Sequence, residues 1–253
     1  MRKRAIAILL TAFCAVALPP HVHAKGLWDS IDVRIRMGYS IGGTVPLDMP
    51  TSIRSLDAFR PTPSPMAGAD ATVWVSPRLG FAAGLHIENK GMDAEVTVKS
   101  YRMEMRQGGS QMAGLFTGHV KQEVTQWMVT LPVQAIASLG KVLTLKAGPY
   151  FSFLISKGFS GIAFDGYLRQ GNPTGPKITI GDEEGEWATY DFRDSMRSLQ
   201  WGIAAGVDWC FSRHLGLSVD LGWGLSGVFQ SDFETVEQTL YPIYGTLGLL
   251  YRF

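Results

Sequence analysis

Apolar and polar side chains alternate along this chain with a period of two, over runs that are long for a soluble sheet. In IDVRIRMGYSI, Ile31, Val33, Ile35, Met37, Tyr39 and Ile41 fall on one face, while Asp32, Arg34, Arg36, Gly38 and Ser40 fall on the other. LGFAAGLHIE sets Leu79, Phe81, Ala83, Leu85 and Ile87 against Gly80, Ala82, Gly84, His86 and Glu88. LQWGIAAGVDWCF (199–211) and LGLSVDLGWGLSG (215–227) repeat the arrangement. A period of two over such lengths predicts strands, not helices. Eight predicted strands cover roughly 30–43, 66–76, 78–92, 120–136, 141–156, 198–211, 214–228 and 240–253.

The two faces differ in kind. One carries Trp, Tyr, Phe and Leu; the other is small and polar, rich in Gly, Ser, Ala, Asp and Thr. A soluble sandwich hides its large apolar face and shows polar residues to water. A narrow transmembrane barrel does the reverse, turning the large face to lipid and the small one to its lumen. Connector lengths agree, since the gaps after the second, fourth and sixth strands are short and the others long. That alternation predicts periplasmic turns and external loops. The expected fold is therefore all-β, an eight-stranded antiparallel up-and-down transmembrane β-barrel. It becomes ten-stranded if KITI (177–180) and EWATYDF (186–192) also enter the membrane. Trp28, Trp74, Trp127, Trp201, Trp209 and Trp223 suit interfacial girdles, and Pro149 suggests a bulge.

The ends of the chain fit this picture. MRKR, an apolar run from Ala5 to Leu18, and small residues at Val22 and Ala24 predict a secretory signal peptide over 1–24, leaving one barrel domain at 25–253. At the other end, TLGLLYRF offers Thr246, Gly248, Tyr251 and Phe253 as a C-terminal assembly signal. Its last strand is expected to pair with the first, so that no edge stays open.

Composition narrows the function. The full chain carries 23 Lys+Arg against 22 Asp+Glu. Loss of Arg2, Lys3 and Arg4 with the signal peptide turns the balance to −2, which leaves no electrostatic footprint for nucleic acid. Only Cys210 of the two cysteines would remain, so no intramolecular disulfide and no CxxC metal or redox site is expected.

Several stretches resemble one family, the PorT-like outer-membrane β-barrel proteins common in Bacteroidetes. They are GLHIENKG (84–91), LPVQA (131–135), GPYFSFLISK (148–157), LQWGIAAGVD (199–208) and GLLYRF (248–253), in order over nearly the whole mature chain. The resemblance implies an eight-stranded barrel in the cell outer membrane. It implies no single activity, although PorT itself is linked to type IX secretion.

Alternation places Asp32, Arg34, Arg36, Asp70, His86, Glu88, Lys146, Asp208, Asp220 and Arg252 inside. An eight-stranded lumen is just wide enough for side chains to fill, and buried charges must pair. A plug of mutually satisfied ions is the expected arrangement, with an ion or proton path as the alternative. No GxSxG or HExxH motif occurs, and His119 beside loop serines is the one arrangement from which a lipid-modifying enzyme could be built. Asp182, Glu183, Glu184 and Glu186 lack the spacing of a Ca²⁺ loop and read as a hairpin turn. The expectation is a non-catalytic structural or interaction barrel with no metal and no cofactor. Its partners would be outer-membrane lipid, the barrel-assembly machinery during biogenesis and an unknown membrane protein. A component of a secretion or uptake machine is the alternative.

Overall fold

The computed structural model describes residues 31–47, 50–233, 235–236 and 238–253. The expected signal peptide, Trp28 and the first residue of the first predicted strand lie outside the described residues. The strands are β1 (Ile31–Pro46), β2 (Ile53–Pro61), β3 (Pro65–Trp74), β4 (Leu79–Gln107), β5 (Ser110–Leu139), β6 (Leu143–Gln170), β7 (Lys177–Ile180), β8 (Ala188–Asp191), β9 (Leu199–Trp209), β10 (Leu215–Gly224) and β11 (Leu240–Arg252). Among the described residues no helix is long and apolar enough to cross a membrane.

Eight strands close a ring in the order β1, β3, β4, β5, β6, β9, β10, β11 and back to β1, each pair antiparallel. Closure runs from Arg34 opposite Arg252 to Pro46 opposite Leu240, and the Phe253 amide donates to the Val33 carbonyl at 3.2 Å. The last residue is thus held in the ladder, and the ring has no free edge. Turns at 75–78, 140–142 and 210–214 share one end with both termini of the ring.

The outer wall is apolar. Met37 (65%), Leu221 (59%), Val219 (58%) and Leu247 (61%) are exposed on it, an arrangement suited to lipid rather than water. Trp209 lies on the outer wall at the short-turn end and Trp127, Trp201 and Trp223 on it at the other end, whereas Trp74, on the same face of β3 as Asp70 and Thr72, turns inward and lines a cavity with Arg34 and Thr144 instead of joining the girdle. Pro149 sits opposite Ile203 in an unshifted register, so the expected bulge is not there. It lies instead at Ile155, an extra β6 residue between Ser156 opposite Trp127 and Leu154 opposite Met128.

The long-connection end differs from the expected loops. Strands β4, β5 and β6 do not stop at the rim but continue outward, and residues 93–119 form a hairpin instead of a loop. Its turn is Gly108–Gly109, both at positive φ (57° and 84°), the conformation a two-residue hairpin turn needs. β2 lies in the first expected loop and pairs with β4. KITI and the core of EWATYDF form β7 and β8 outside the ring, so the ring keeps eight strands. Each pairs with β6 and not with the other, which corrects the hairpin expected around Asp182–Glu186. β8 also touches β4 through Thr189 opposite Arg106, closing the extension on itself.

The extension has its own dry core. Met92, Met103, Met105, Phe116, Phe159 and Met196 are fully buried there. Phe159 and Phe229 pack edge to face with ring centroids 4.7 Å apart, a favoured aromatic geometry. This core sits directly over the lumen, because the inward column of β4 runs Glu88, Lys90, Met92 and that of β5 runs Thr130, Met128, Gln126, Val124.

Candidate functional site: an ion-paired lumen beneath an apolar cap

Every strand of the ring except β5 sends an ionisable side chain inward, and the register brings them together. Nearest the short turns, Arg34 bridges Asp32 at 3.0 Å and Asp208 at 3.1 Å. Arg252 reaches Asp32 at 3.2 Å from the rim, where it is 44% exposed. One step deeper, Arg36 pairs with Asp70, with Asp208 at 3.3 Å and with Asp220 at 3.7 Å. Lys146 is 2.8 Å from both Asp208 and Asp220. His86 Nε2 lies 2.8 Å from Asp70.

Small residues make this possible. A side chain at Gly84 would collide with the Asp70 carboxylate, and one at Gly206 would meet both Asp220 and Lys146. The glycines of the alternating pattern are therefore the space into which the neighbouring charges extend.

Farther from the turns, Lys90 pairs with Glu88 at 3.1 Å. Its ammonium lies 5.2 Å from the Tyr150 ring centroid and 5.7 Å from that of Tyr244, within cation–π range. Thr130 donates to Glu88 and lies 2.7 Å from Ser152. Beyond that layer, Gln200 Nε2 donates to Gln126 Oε1 at 2.9 Å, and then the apolar cap begins. A cavity of about 70 Å³ separates the two charged layers, lined among others by His86, Lys146, Tyr150, Asp220 and Tyr244. Taken together, five cations (Arg34, Arg36, Lys90, Lys146, Arg252) face five carboxylates (Asp32, Asp70, Glu88, Asp208, Asp220). Apart from the imidazole of His86, the lumen is electrically balanced, as burial of charge demands.

Lys90, Gln126, Tyr150 and Tyr244 were missed in the sequence; Gln200 falls on the small polar face of its run but was not singled out as part of the site. Lys90 had a readable signal, since it follows Glu88 by two positions on the same inner face. The tyrosines lie on the lumen side of runs where aromatics had been assigned to lipid.

The chain matches a known family, the outer membrane protein beta-barrel domain, over residues 25–230. It belongs to that family. No curated protein sequence matches it. Similar solved structures include Ail, the attachment invasion locus protein of Yersinia pestis, at 10% identity and TM-score 0.39 over 88% of this chain and 99% of that one. OprG from Pseudomonas aeruginosa aligns at 15% identity and TM-score 0.31, over 88% and 95%. The outer membrane protease OmpT from Escherichia coli aligns at 12% and 0.31, over 88% and 94%.

In an outer membrane β-barrel the short turns face the periplasm and the long connections face outward. The β4–β6 extension of this barrel domain is then extracellular. The terminal residues lie at the periplasmic rim. Thr246 Oγ1 is 2.8 Å from Ser40 Oγ inside, Gly248 is opposite Gly38, and Tyr251 and Phe253 pack edge to face at 5.0 Å on the outer wall. His214 sits in a periplasmic turn, stacked 5.6 Å from Tyr251. His119 lies on the outer face of β5 in the extracellular extension. Asp182 accepts the Trp187 indole N–H through its carbonyl at 2.9 Å, and Gly185 (φ 97°) turns the acidic stretch between β7 and β8.

Proposed function

We propose that this chain is a non-conducting, non-catalytic scaffold of the outer membrane whose task is to hold a folded β-domain outside the cell. The observation that carries this reading is the stack within the ring: two balanced ionic layers, a glutamine pair, then a dry core of methionine and aromatic side chains. Ions would have to cross both charged layers and a hydrophobic constriction, which disfavours hydrated passage. The extracellular part is not a set of loops draped over a pore. β4 alone continues seventeen residues past Lys90, about 55 Å of extended chain at about 3.3 Å per residue. Rigid strands that project this far suit contact with another macromolecule.

The finer assignment follows the same reading. A PorT-like member, exported by cleavage of residues 1–24, would present Thr246, Gly248, Tyr251 and Phe253 to the assembly machinery and then rest in outer-membrane lipid. Partnership with a secretion or uptake machine remains the second reading, and the size of the extracellular extension favours it over a purely structural role. In planar bilayers the refolded protein is expected to give no steady porin-sized conductance. Such a conductance would overturn the non-conducting scaffold.

A further inference from the structure

At the end of the ring away from the extension, the charge balance of the lumen gives way to an excess of cations. Each of the three short turns carries one Lys or Arg and no Asp or Glu: Arg78 in 75–78, Lys141 in 140–142 and Arg213 in 210–214. All three are exposed, and among the described residues none is paired with a carboxylate. Arg252 joins them at the tip of β11, 44% exposed. The acids at this end are Asp32, which Arg34 also holds at 3.0 Å, and the carboxylate of Phe253. Burial forces the lumen toward neutrality. The rim is wet, and its surplus positive charge is left for a partner outside the chain.

Three of the four cations share a cleft. An open depression of about 540 Å³ lies between the second and third short turns and the end of β11, and Lys141, Arg213 and Arg252 line it. The backbone holds these segments together. The Cys210 amide donates to the Val142 carbonyl at 2.7 Å, joining the two turns, and the Arg252 amide donates to the His214 carbonyl at 2.7 Å, joining the third turn to β11. Asp32 fixes the Arg252 guanidinium through Nε, 3.2 Å away. An anion entering the cleft meets cations whose backbones are already placed, so binding adds little ordering cost. Arg78 stands apart, on the turn between β3 and β4, and lines neither this cleft nor the neighbouring one that Trp74 lines.

The other wall of the cleft is apolar. Phe211 and Phe253 line it beside the cations, 52% and 68% exposed. Both belong to an aromatic band on the outer wall. Phe211 packs edge to face on Trp209 with centroids 5.9 Å apart, Phe253 packs on Tyr251, and Tyr251 stacks on His214. Trp and Tyr in such bands sit at the level of lipid headgroups. A free phosphate would use the cations alone. An acidic periplasmic peptide would have no use for two phenyl rings turned to lipid. A phospholipid uses both walls, its phosphate against Lys141, Arg213 and Arg252 and its upper acyl chain against Phe211 and Phe253. Such lipid is present at this rim wherever the ring is inserted.

We infer that the cleft of Lys141, Arg213 and Arg252 is a periplasmic-leaflet site for the headgroup of an anionic phospholipid. A zwitterionic headgroup brings its own cation, which the three cations repel, so the cleft selects lipid of net negative charge. Basic clusters at a membrane surface recognise anionic headgroups, and each Lys or Arg contributes about fivefold in affinity.

The test is native mass spectrometry of the refolded full-length protein in detergent micelles, titrated with phosphatidylglycerol or with phosphatidylcholine. One phosphatidylglycerol is expected to bind at least about tenfold more tightly than phosphatidylcholine. Arg213→Gln and Lys141→Gln should each weaken that first lipid about fivefold. Arg78→Gln, the same charge change at the same rim but outside the cleft, should leave it nearly unchanged, as should Lys177→Gln in the extracellular extension. Excess ammonium phosphate should not displace the lipid. The proposal is overturned if the two lipids bind alike, or if Arg78→Gln weakens binding as much as Arg213→Gln, which would reduce the site to a diffuse field. Displacement by phosphate would make it a free-anion site, and binding of a polyglutamate peptide to the same cations in place of lipid would make it a protein interface; either result overturns it. Heat-modifiable gel migration reports ring closure of each variant separately, so a folding failure is not mistaken for a lost site.

Discussion

Replacing Asp208 by asparagine takes one negative charge from a carboxylate that is 2% exposed and touches three cations. Arg34 keeps Asp32, Lys146 keeps Asp220, and Arg36 keeps both Asp70 and Asp220. The lumen nevertheless gains an uncompensated positive charge. Removing one partner from a buried ionic pair destabilises by about 3–5 kcal/mol, and the surviving partners argue for the lower end, about 3 kcal/mol. Arg252→Gln provides the contrast. Its guanidinium is 44% exposed at the rim, where an ion pair contributes about 0–1 kcal/mol. A further variant, Asp208→Asn with Lys146→Met, removes one charge of each sign and restores balance. It should be less destabilised than the sum of the single changes by about 1–3 kcal/mol, the range for residues in one network. Urea unfolding in detergent micelles, followed by tryptophan fluorescence and gel migration, is measured for the parent protein, Asp208→Asn, Lys146→Met, the double variant and Arg252→Gln. A loss under about 0.5 kcal/mol for Asp208→Asn, or strict additivity in the double variant, would refute the claim that these charges act as one buried network.

Two further outcomes follow from the structure. Val219→Arg, near the middle of β10 on the outer wall, should destabilise by about 2–4 kcal/mol, the range for a lipid-exposed cation near the midplane; spin labels at 217, 219 and 221 should be reached by lipid-dissolved oxygen while those at 218, 220 and 222 are shielded. Equal accessibility at both sets would show that the assigned facing is wrong. Tyr190, buried in the extracellular core with its hydroxyl donating to the Lys121 carbonyl at 3.2 Å, has its pKa pushed up by burial. A raised folded pKa gives stability that is full below the unfolded tyrosine's value of about 10 and is lost as pH rises above it. The extracellular core should therefore loosen above about pH 10 in near-ultraviolet circular dichroism, and Tyr190→Phe should flatten that transition; an unchanged alkaline profile would count against the burial argument.

The ring was legible in the sequence, and the extension was not. Period two is a local property. Where a strand keeps one phase, as β1 does from Val33 to Ile41 or β10 from Leu215 to Trp223, each side chain's face can be read from its position alone. The extracellular halves of β4 and β6 break that phase. Inward positions in β4 are even-numbered through Val98 and odd-numbered at Met103 and Met105, because the bulge at Lys99–Ser100 adds a residue. In β6 they pass from Ser152 to Phe159 and Ala163 and back to Leu168 across two bulges. Alternation that changes phase looks like a loop, which is why residues 93–119 and 157–170 read as connections.

The same division holds for the charges. The chain's alternation alone separates Arg34, Arg36, Asp208 and Asp220 from the lipid-facing residues between them. It cannot say that Arg34 meets Asp208, 174 positions away, or that Lys146 meets Asp220, 74 positions away. Those partnerships depend on strand order and on the stagger of a tilted, closed ring. Still less could it set Lys141, Arg213 and Arg252 around one cleft, since the turns that carry the first two adjoin only because β6 pairs with β9. Sequence determined which face each side chain takes wherever the period held; closure and register, which exist only between strands, decided what each charge meets.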